Sequence, residues 1–158
     1  ETGREEFHLA RLNFSDLVKD TNEKMLLRAQ KYEIIIISAI EPEVYVQGDK
    51  EKLVQVIVNL LDNAFKYSPP QSTVQVNLYQ EKSEAILTVA DQGIGIPEHD
   101  RSKVFDRFYR AENARSISGT GLGLSIVKHI VDAHGGSIEL TEGVAGGTTA
   151  ILKLPSKA

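Results

Sequence analysis

Asn59-Leu60-Leu61-Asp62-Asn63-Ala64-Phe65-Lys66-Tyr67 decides the reading of this chain. Leu53, Val56, Ile57, Leu60, Leu61 and Ala64 recur at helical spacing and predict one core face. At about 100° per residue, Gln55, Asn59, Asn63 and Lys66 fall on a single polar stripe well away from it. Asparagine is a poor helix former, so two in mid-helix carry a stability cost that Glu or Lys would not. Taken singly, each reads as a satisfied polar position. The pair, followed by a lysine one turn on, reads as a site. An amide oxygen is a hard, neutral ligand suited to Mg²⁺, which keeps several waters and takes further ligands from phosphate oxygens. Asn63 is therefore the expected metal ligand and Asn59 a supporting polar contact. Lys66 is expected to offset phosphate charge as a point cation.

The segments on either side complete the pattern. Asp49 is placed to cap this helix, and Ser68-Pro69-Pro70 to stop it. Thr73 to Tyr79 and Ala85 to Ala90 predict an antiparallel hairpin around a turn near Ser83. The second strand runs into Asp91-Gln92-Gly93-Ile94-Gly95-Ile96-Pro97. A carboxylate at the end of an apolar strand is largely out of water and needs a hydrogen-bond partner. The exocyclic amine of adenine is a suitable one, whereas guanine presents a carbonyl oxygen there that a carboxylate repels. Gly93 and Gly95 are expected to let the backbone approach the base and to adopt positive φ. In isolation the same residues read as an ordinary Asp/Gly turn.

Gly119-Thr120-Gly121-Leu122-Gly123-Leu124 then opens a strongly apolar helix. Backbone N–H groups at such a start form an anion site that the helix dipole favours, and Thr120 adds a hydroxyl donor. The spacing fits neither G-x-G-x-x-G nor G-x-x-x-x-G-K-[ST], so it predicts a phosphate loop of a different type. Between the two glycine-rich segments, Gln92 to Ser118 reads as loop with at most short helices near Glu98–Phe105. Phe105 and Phe108, at i and i+3, could anchor its base, with Arg110 in reach of phosphate; a small hydrophobic cluster is compatible with this. The local excess of Lys103, Arg107, Arg110 and Arg115 over Asp106 and Glu112 reads, on charge alone, as solvated surface.

Elsewhere, Phe7, Leu9 and Leu12 predict a short opening strand, and Asn13 an N-cap with Asp16 at the third helical position of a helix to about Ala29. The β-branched run Tyr32 to Ile40 predicts a strand with a well-buried section, and Val44 to Val46 a short extra one. The last helix runs from Gly121 to His134 with Gly135-Gly136 as its C-cap, followed by strands over Ser137–Leu140 and Thr148–Leu154. Three main helices and several strands predict a two-layer α/β sandwich.

With 158 residues the chain is long enough for one domain with a core of its own. The aliphatic run Ile34 to Ile37 is far short of a membrane span, and the first residues do not read as a secretory leader. The absence of cysteine excludes disulfides and thiolate metal sites, and His8, His99, His129 and His134 lack zinc-ligand spacing. A formal charge of −4 argues against nucleic acid as a partner.

These residues resemble the catalytic ATP-binding domain of bacterial sensor histidine kinases, within the wider group that includes gyrase, Hsp90 and MutL. Asn59 to Tyr67 resembles the N box, Asp91 to Gly95 the G1 box, Phe105 to Phe108 the F box and Gly119 to Gly123 the G2 box. Gly48-Asp49 and Ala133-His134-Gly135-Gly136 also fit. The resemblance implies a Bergerat-type α/β sandwich, with three main helices on one face of a mixed sheet and residues from about Phe105 to Gly119 as an ATP lid. It implies ATP and Mg²⁺ as cofactors, Tyr67 beside the adenine, Asp91 on its amine and Asn63 on the metal. Asn59, Asn63 and Lys66 would be catalytic; Gly93, Gly95, Ile96, Phe108, Arg110, Gly119, Thr120, Gly121, Leu122, Gly123, Leu124 and Thr148 would complete the nucleotide site. The last glycine box departs from the family pattern, reading Ala145-Gly146-Gly147-Thr148 with its first glycine missing.

By the same resemblance, residues 1–6 end a preceding phosphoacceptor helix pair or linker, residues 7–155 form the catalytic domain and residues 156–158 a tail. None of the four histidines lies in a phosphoacceptor context, so that histidine is expected on a separate dimerisation domain of the same protein. A response-regulator receiver domain is the expected onward partner. The domain alone is expected to be a monomer and the full-length protein a homodimer, with this part cytoplasmic and the parent in the bacterial membrane. The alternatives are a gyrase- or Hsp90-like ATPase and a non-catalytic nucleotide sensor. The ATPases carry a water-activating Glu where Asn59 stands here.

Overall fold

The computed structural model describes residues 7–95, 103, 105, 123–143 and 146–156. In chain order the elements are β1 (Ala10–Asn13), α1 (Phe14–Lys24), α2 (Leu26–Lys31), β2 (Ile35–Ile40), β3 (Tyr45–Gly48), α3 (Lys50–Tyr67), β4 (Thr73–Glu81), β5 (Glu84–Ala90), α4 (Gly123–Ala133), β6 (Ser137–Glu142) and β7 (Thr148–Pro155). Among the described residues the strands form two sheets. One has the order β2-β4-β5-β7-β6, and the other pairs β1 with β3. Only β2 and β4 run parallel in the larger sheet, so it is mixed, as the family resemblance implies.

Strand alternation sets the two faces. Val74, Val76 and Leu78 of β4, Ala85, Leu87 and Val89 of β5, and Ala150, Leu152 and Leu154 of β7 share one core with Phe14, Leu53, Ile57, Leu61, Phe65, Val127 and Val131 of the helices. Gln75, Asn77 and Thr88 alternate onto the other face. The result is a sheet with its helices on one side.

Several local expectations are met for identifiable reasons. Asn13 caps α1 by accepting a hydrogen bond from Asp16 N–H at 3.1 Å. Asp49 caps α3 through Lys52 N–H at 3.2 Å. The chain leaves α4 through Gly135 at φ +73°, where the Gly136 N–H reaches the Val131 carbonyl at 3.1 Å.

Three expectations need correction. The opening strand lies later, at Ala10–Asn13, because it pairs with β3 from Ala10↔Gly48 to Asn13↔Tyr45. Phe7 packs instead against the rings of His129 and His134. The first helix does not run unbroken to Ala29: Met25, buried in the core, ends α1 and starts α2. No Gly or Pro marks that break, so residue pattern could not reveal it. The run Tyr32 to Ile40 is not a well-buried strand. Tyr32 closes α2, Glu33 turns at φ +59°, and β2 is an edge strand with Ile35 63% and Ile37 49% exposed. Ile34, just before it, is the buried residue of that run. The start of the last helix at Gly121 lies outside the described residues.

Candidate nucleotide site

Helix α3 presents its apolar face to the core and keeps its polar stripe off it. Leu53, Val56, Ile57, Leu60, Leu61, Ala64 and Phe65 are buried, whereas Asn59, Asn63, Lys66 and Tyr67 are half-buried. The helix stops where the Ser68 hydroxyl donates to the Ala64 carbonyl at 2.7 Å. Its last carbonyl, that of Tyr67, accepts from Ile94 N–H at 3.2 Å. The Asp-Gly loop is thereby fastened to the C-terminal end of the Asn helix.

Gly93 is required by that approach, since a Cβ there would collide with the Tyr67 carbonyl. Its φ is not positive, contrary to expectation; Gly95 does adopt φ +75°. The need at Gly93 is thus space, and at Gly95 conformation.

Asp91 follows β5 directly and continues its pairing with β7, donating its N–H to the Thr148 carbonyl at 2.9 Å. Its Oδ1 accepts from Gly93 N–H at 2.9 Å and from Thr148 N–H at 3.0 Å. Burial pushes this carboxyl above the ordinary carboxylate range, with the two backbone bonds opposing only in part. Both recorded bonds use Oδ1, so among the described residues the acceptor capacity of Oδ2 is left for another donor. Thr148 enters the site through its backbone.

Two contributors were not singled out from sequence. Gly147, at φ +73°, lies so close that a Cβ would collide with the Asp91 carbonyl and approach Oδ1 to 2.9 Å. Gln92 tethers the loop sideways, its Oε1 accepting from Thr73 N–H at 2.9 Å. The glycine-rich turn before β7 carried the signal for the first; nothing in residue order pointed to the second. In the same turn a Cβ on Gly143 would collide with the Gly146 carbonyl, so a glycine is demanded on the β6 side too.

Gly123, the first described residue of α4, lies beside the Asn stripe, where a Cβ would come within 4.0 Å of Asn59 Cγ. Leu124 packs partly buried against the core. This end of the described helix therefore approaches Asn59, although 64 positions separate residues 59 and 123. Phe105 is partly buried against the core. Ile96, Phe108, Arg110, Gly119, Thr120, Gly121 and Leu122 lie outside the described residues, as does Ala145.

Lys66 is engaged rather than waiting. Its Nζ lies 3.3 Å from Asp62 Oδ2, and Asp62 Oδ1 takes the Arg28 Nε of α2 at 2.6 Å. Among the described residues no three His, Cys, Asp or Glu side chains gather to hold a metal. No described helix is long and apolar enough to cross a membrane.

Comparison with known proteins agrees with this geometry. Residues 48–158 match the family described as histidine kinase-, DNA gyrase B-, and HSP90-like ATPase. The chain is 44% identical over 119 residues to the sensor histidine kinase WalK of Bacillus subtilis (strain 168), covering 73% of this chain and 20% of WalK. It therefore spans about a fifth of that relative's length. Among solved structures, the mycobacterial sensor histidine kinase MprB superposes with a TM-score of 0.83 at 34% identity, over 95% of this chain and 99% of that one. Full-length ShkA in complex with AMPPNP superposes with a TM-score of 0.83 at 25% identity, over 98% of this chain and 32% of that one.

Proposed function

The chain belongs to the histidine kinase-, DNA gyrase B-, and HSP90-like ATPase family, among the catalytic domains of histidine kinases, and from that premise we propose that it binds Mg·ATP and donates the γ-phosphoryl group to a histidine on a separate dimerisation domain. The single observation that carries the nucleotide assignment is Asp91. It is a carboxylate held at a strand end by two backbone N–H groups on one oxygen, with the other oxygen left to accept from an adenine amine. That ShkA was solved with an ATP analogue supports the same reading.

On this proposal Tyr67, Gly93, Gly95 and Ile96 border the base. Gly119 to Leu124, with Thr120, present N–H and hydroxyl donors to the phosphates, and Lys66 and Arg110 bring positive charge. Phe108 helps seat the lid, and Asn59 supports Asn63. Asn63 would hold Mg²⁺, which when bound neutralises phosphate charge. Transfer forms a bond from an imidazole nitrogen of the acceptor to the γ-phosphorus and breaks the bridging P–O bond, ADP leaving with the electron pair. The attacking nitrogen brings its own lone pair, so the domain contributes positioning and charge stabilisation rather than a base. Onward transfer would go to a response-regulator receiver domain. The parent protein would be a homodimer in the bacterial membrane with this domain in the cytoplasm.

The test is calorimetric titration with a non-hydrolysable ATP analogue and its GTP counterpart, each with and without Mg²⁺, followed by addition of a phosphoacceptor domain with ATP. Adenine-selective, Mg²⁺-strengthened binding and labelling of the acceptor histidine are the expected results. Equal binding of both purines would overturn the role of Asp91. Binding without transfer to the acceptor would leave a nucleotide sensor.

A further inference from the structure

Asp62 sits within the Asn helix yet belongs to neither of its two faces. At about 100° per residue it lies roughly 60° round from Asn59, on the flank of the polar stripe. From there it holds two cations with separate oxygens. Oδ1 takes Arg28 Nε from α2 at 2.6 Å, and Oδ2 faces Lys66 Nζ at 3.3 Å. The short bond is the interhelical one, and the looser pair is the i,i+4 contact within α3. The Asp62 side chain is only 20% exposed, whereas that of Arg28 is 46% exposed.

This arrangement has a consequence for Lys66. To meet a phosphate it must leave Asp62 Oδ2. A half-buried carboxylate stripped of its partner is costly, so a lone Asp62–Lys66 pair would oppose nucleotide binding. Here Arg28 remains on Oδ1 when Lys66 departs. Burial works to raise the Asp62 carboxyl, and the Arg28 hydrogen bond, with the charges of Lys66 and Arg28, overcomes it.

We propose that Arg28 is a positioning residue for the nucleotide site: it retains the Asp62 carboxylate so that Lys66 is released to the phosphates. The inference rests on the phosphate role assigned to Lys66 above. Arg28 touches no nucleotide; it acts through Asp62 on Lys66, and it comes from a short helix outside every motif of the site.

The experiment is a double-mutant cycle in the 158-residue chain, read by titration with a non-hydrolysable ATP analogue plus Mg²⁺ and, separately, with AMP by NMR. Arg28→Ala is expected to weaken triphosphate binding by about two- to fivefold, the range of a partly exposed ion pair, while AMP affinity stays put. In the Lys66→Ala background the same substitution is expected to be silent. Arg28→Lys, which keeps the charge on Asp62, is expected to restore most of the affinity. An Arg28→Ala effect that persists without Lys66 would mean only long-range charge, and an equal loss of AMP affinity only a structural role; either overturns the proposal. If Lys66→Ala itself binds normally, the phosphate role of Lys66 falls and the relay with it. If Lys66→Ala weakens binding and Arg28→Ala does not, the relay alone falls.

Discussion

Asp49 and Asp91 stand at comparable places, each just past a strand and each accepting from backbone N–H groups, yet their environments drive them in opposite directions. Asp49 divides its partners: Oδ1 receives Lys52 N–H at 3.2 Å and Oδ2 receives His8 N–H at 2.9 Å. The His8 bond leads in holding its carboxyl below the ordinary range, with burial opposing. Asp91 gathers both partners on Oδ1, and burial leaves it raised. A carboxylate with both oxygens engaged ties the helix cap to the leading segment of the chain. One with a single oxygen engaged is an unfinished hydrogen-bond pattern, which is what a ligand can complete.

The largest expected effect breaks the comparison at Asp91. Asp91→Ala removes the proposed adenine acceptor, and ATP-analogue affinity is expected to fall about a hundredfold or more, measured by calorimetry. Near-normal binding would remove Asp91 from the base pocket. Next in size is Asp49→Ala, which deletes a helix cap and the partner of His8 N–H. Denaturant unfolding should register a loss of about 1–2 kcal/mol, while nucleotide affinity changes far less than in the Asp91 variant.

The two carboxylates should also give opposite slopes of stability against pH. Asp49, lowered in the folded state, contributes stability above the unfolded value of about 3.9 that is lost as pH falls through its lower folded value. Asp91, raised, contributes stability that is fully present below about 3.9 and lost as pH rises through its higher folded value. Unfolding midpoints over a pH series should therefore show a shrinking deficit for Asp49→Ala on acidification. The smallest effect sharpens the contrast. Asp91→Asn keeps an oxygen for Gly93 and Thr148 N–H but removes the buried charge, so the unliganded domain should gain on the order of 1 kcal/mol or less at neutral pH. That gain should shrink as pH falls, and adenine binding should still be lost because an amide N–H would face the base amine. A clear loss of stability at neutral pH would mean that the charge itself holds the loop.

The path from residue to element was legible where local chemistry decides the outcome. The cap at Asn13, the cap at Asp49, the apolar face of α3 and the glycine exit at Gly135 all follow from interactions within a turn or two. Two apolar runs show where this stops. The run from Ile34 to Ile37 and the strand Ala85 to Ala90 read alike as β-rich segments. Yet β5 lies in the interior of the sheet with Ala85, Ile86, Leu87 and Val89 buried, and β2 lies at its edge. Place in the sheet is not a property of either segment, because the neighbours that cover a strand come from distant parts of the chain.

The site divides in the same way. Residue order alone supports the proposal that Asn59, Asn63, Asp91 and the glycines ahead of α4 serve one chemistry, since such residues are costly or strange in their elements unless a ligand uses them. Tertiary structure decided how they meet. It placed Gly147 and the Thr148 N–H against Asp91, fastened Ile94 N–H to the last carbonyl of α3, set Gly123 beside Asn59, and gave Lys66 to Asp62 and Asp62 to Arg28. Helical and strand periodicities are carried by neighbours along the chain and can be read there. Shared hydrogen bonds and ion pairs between segments depend on three-dimensional approach, which only the packing of the sheet against its helices supplies.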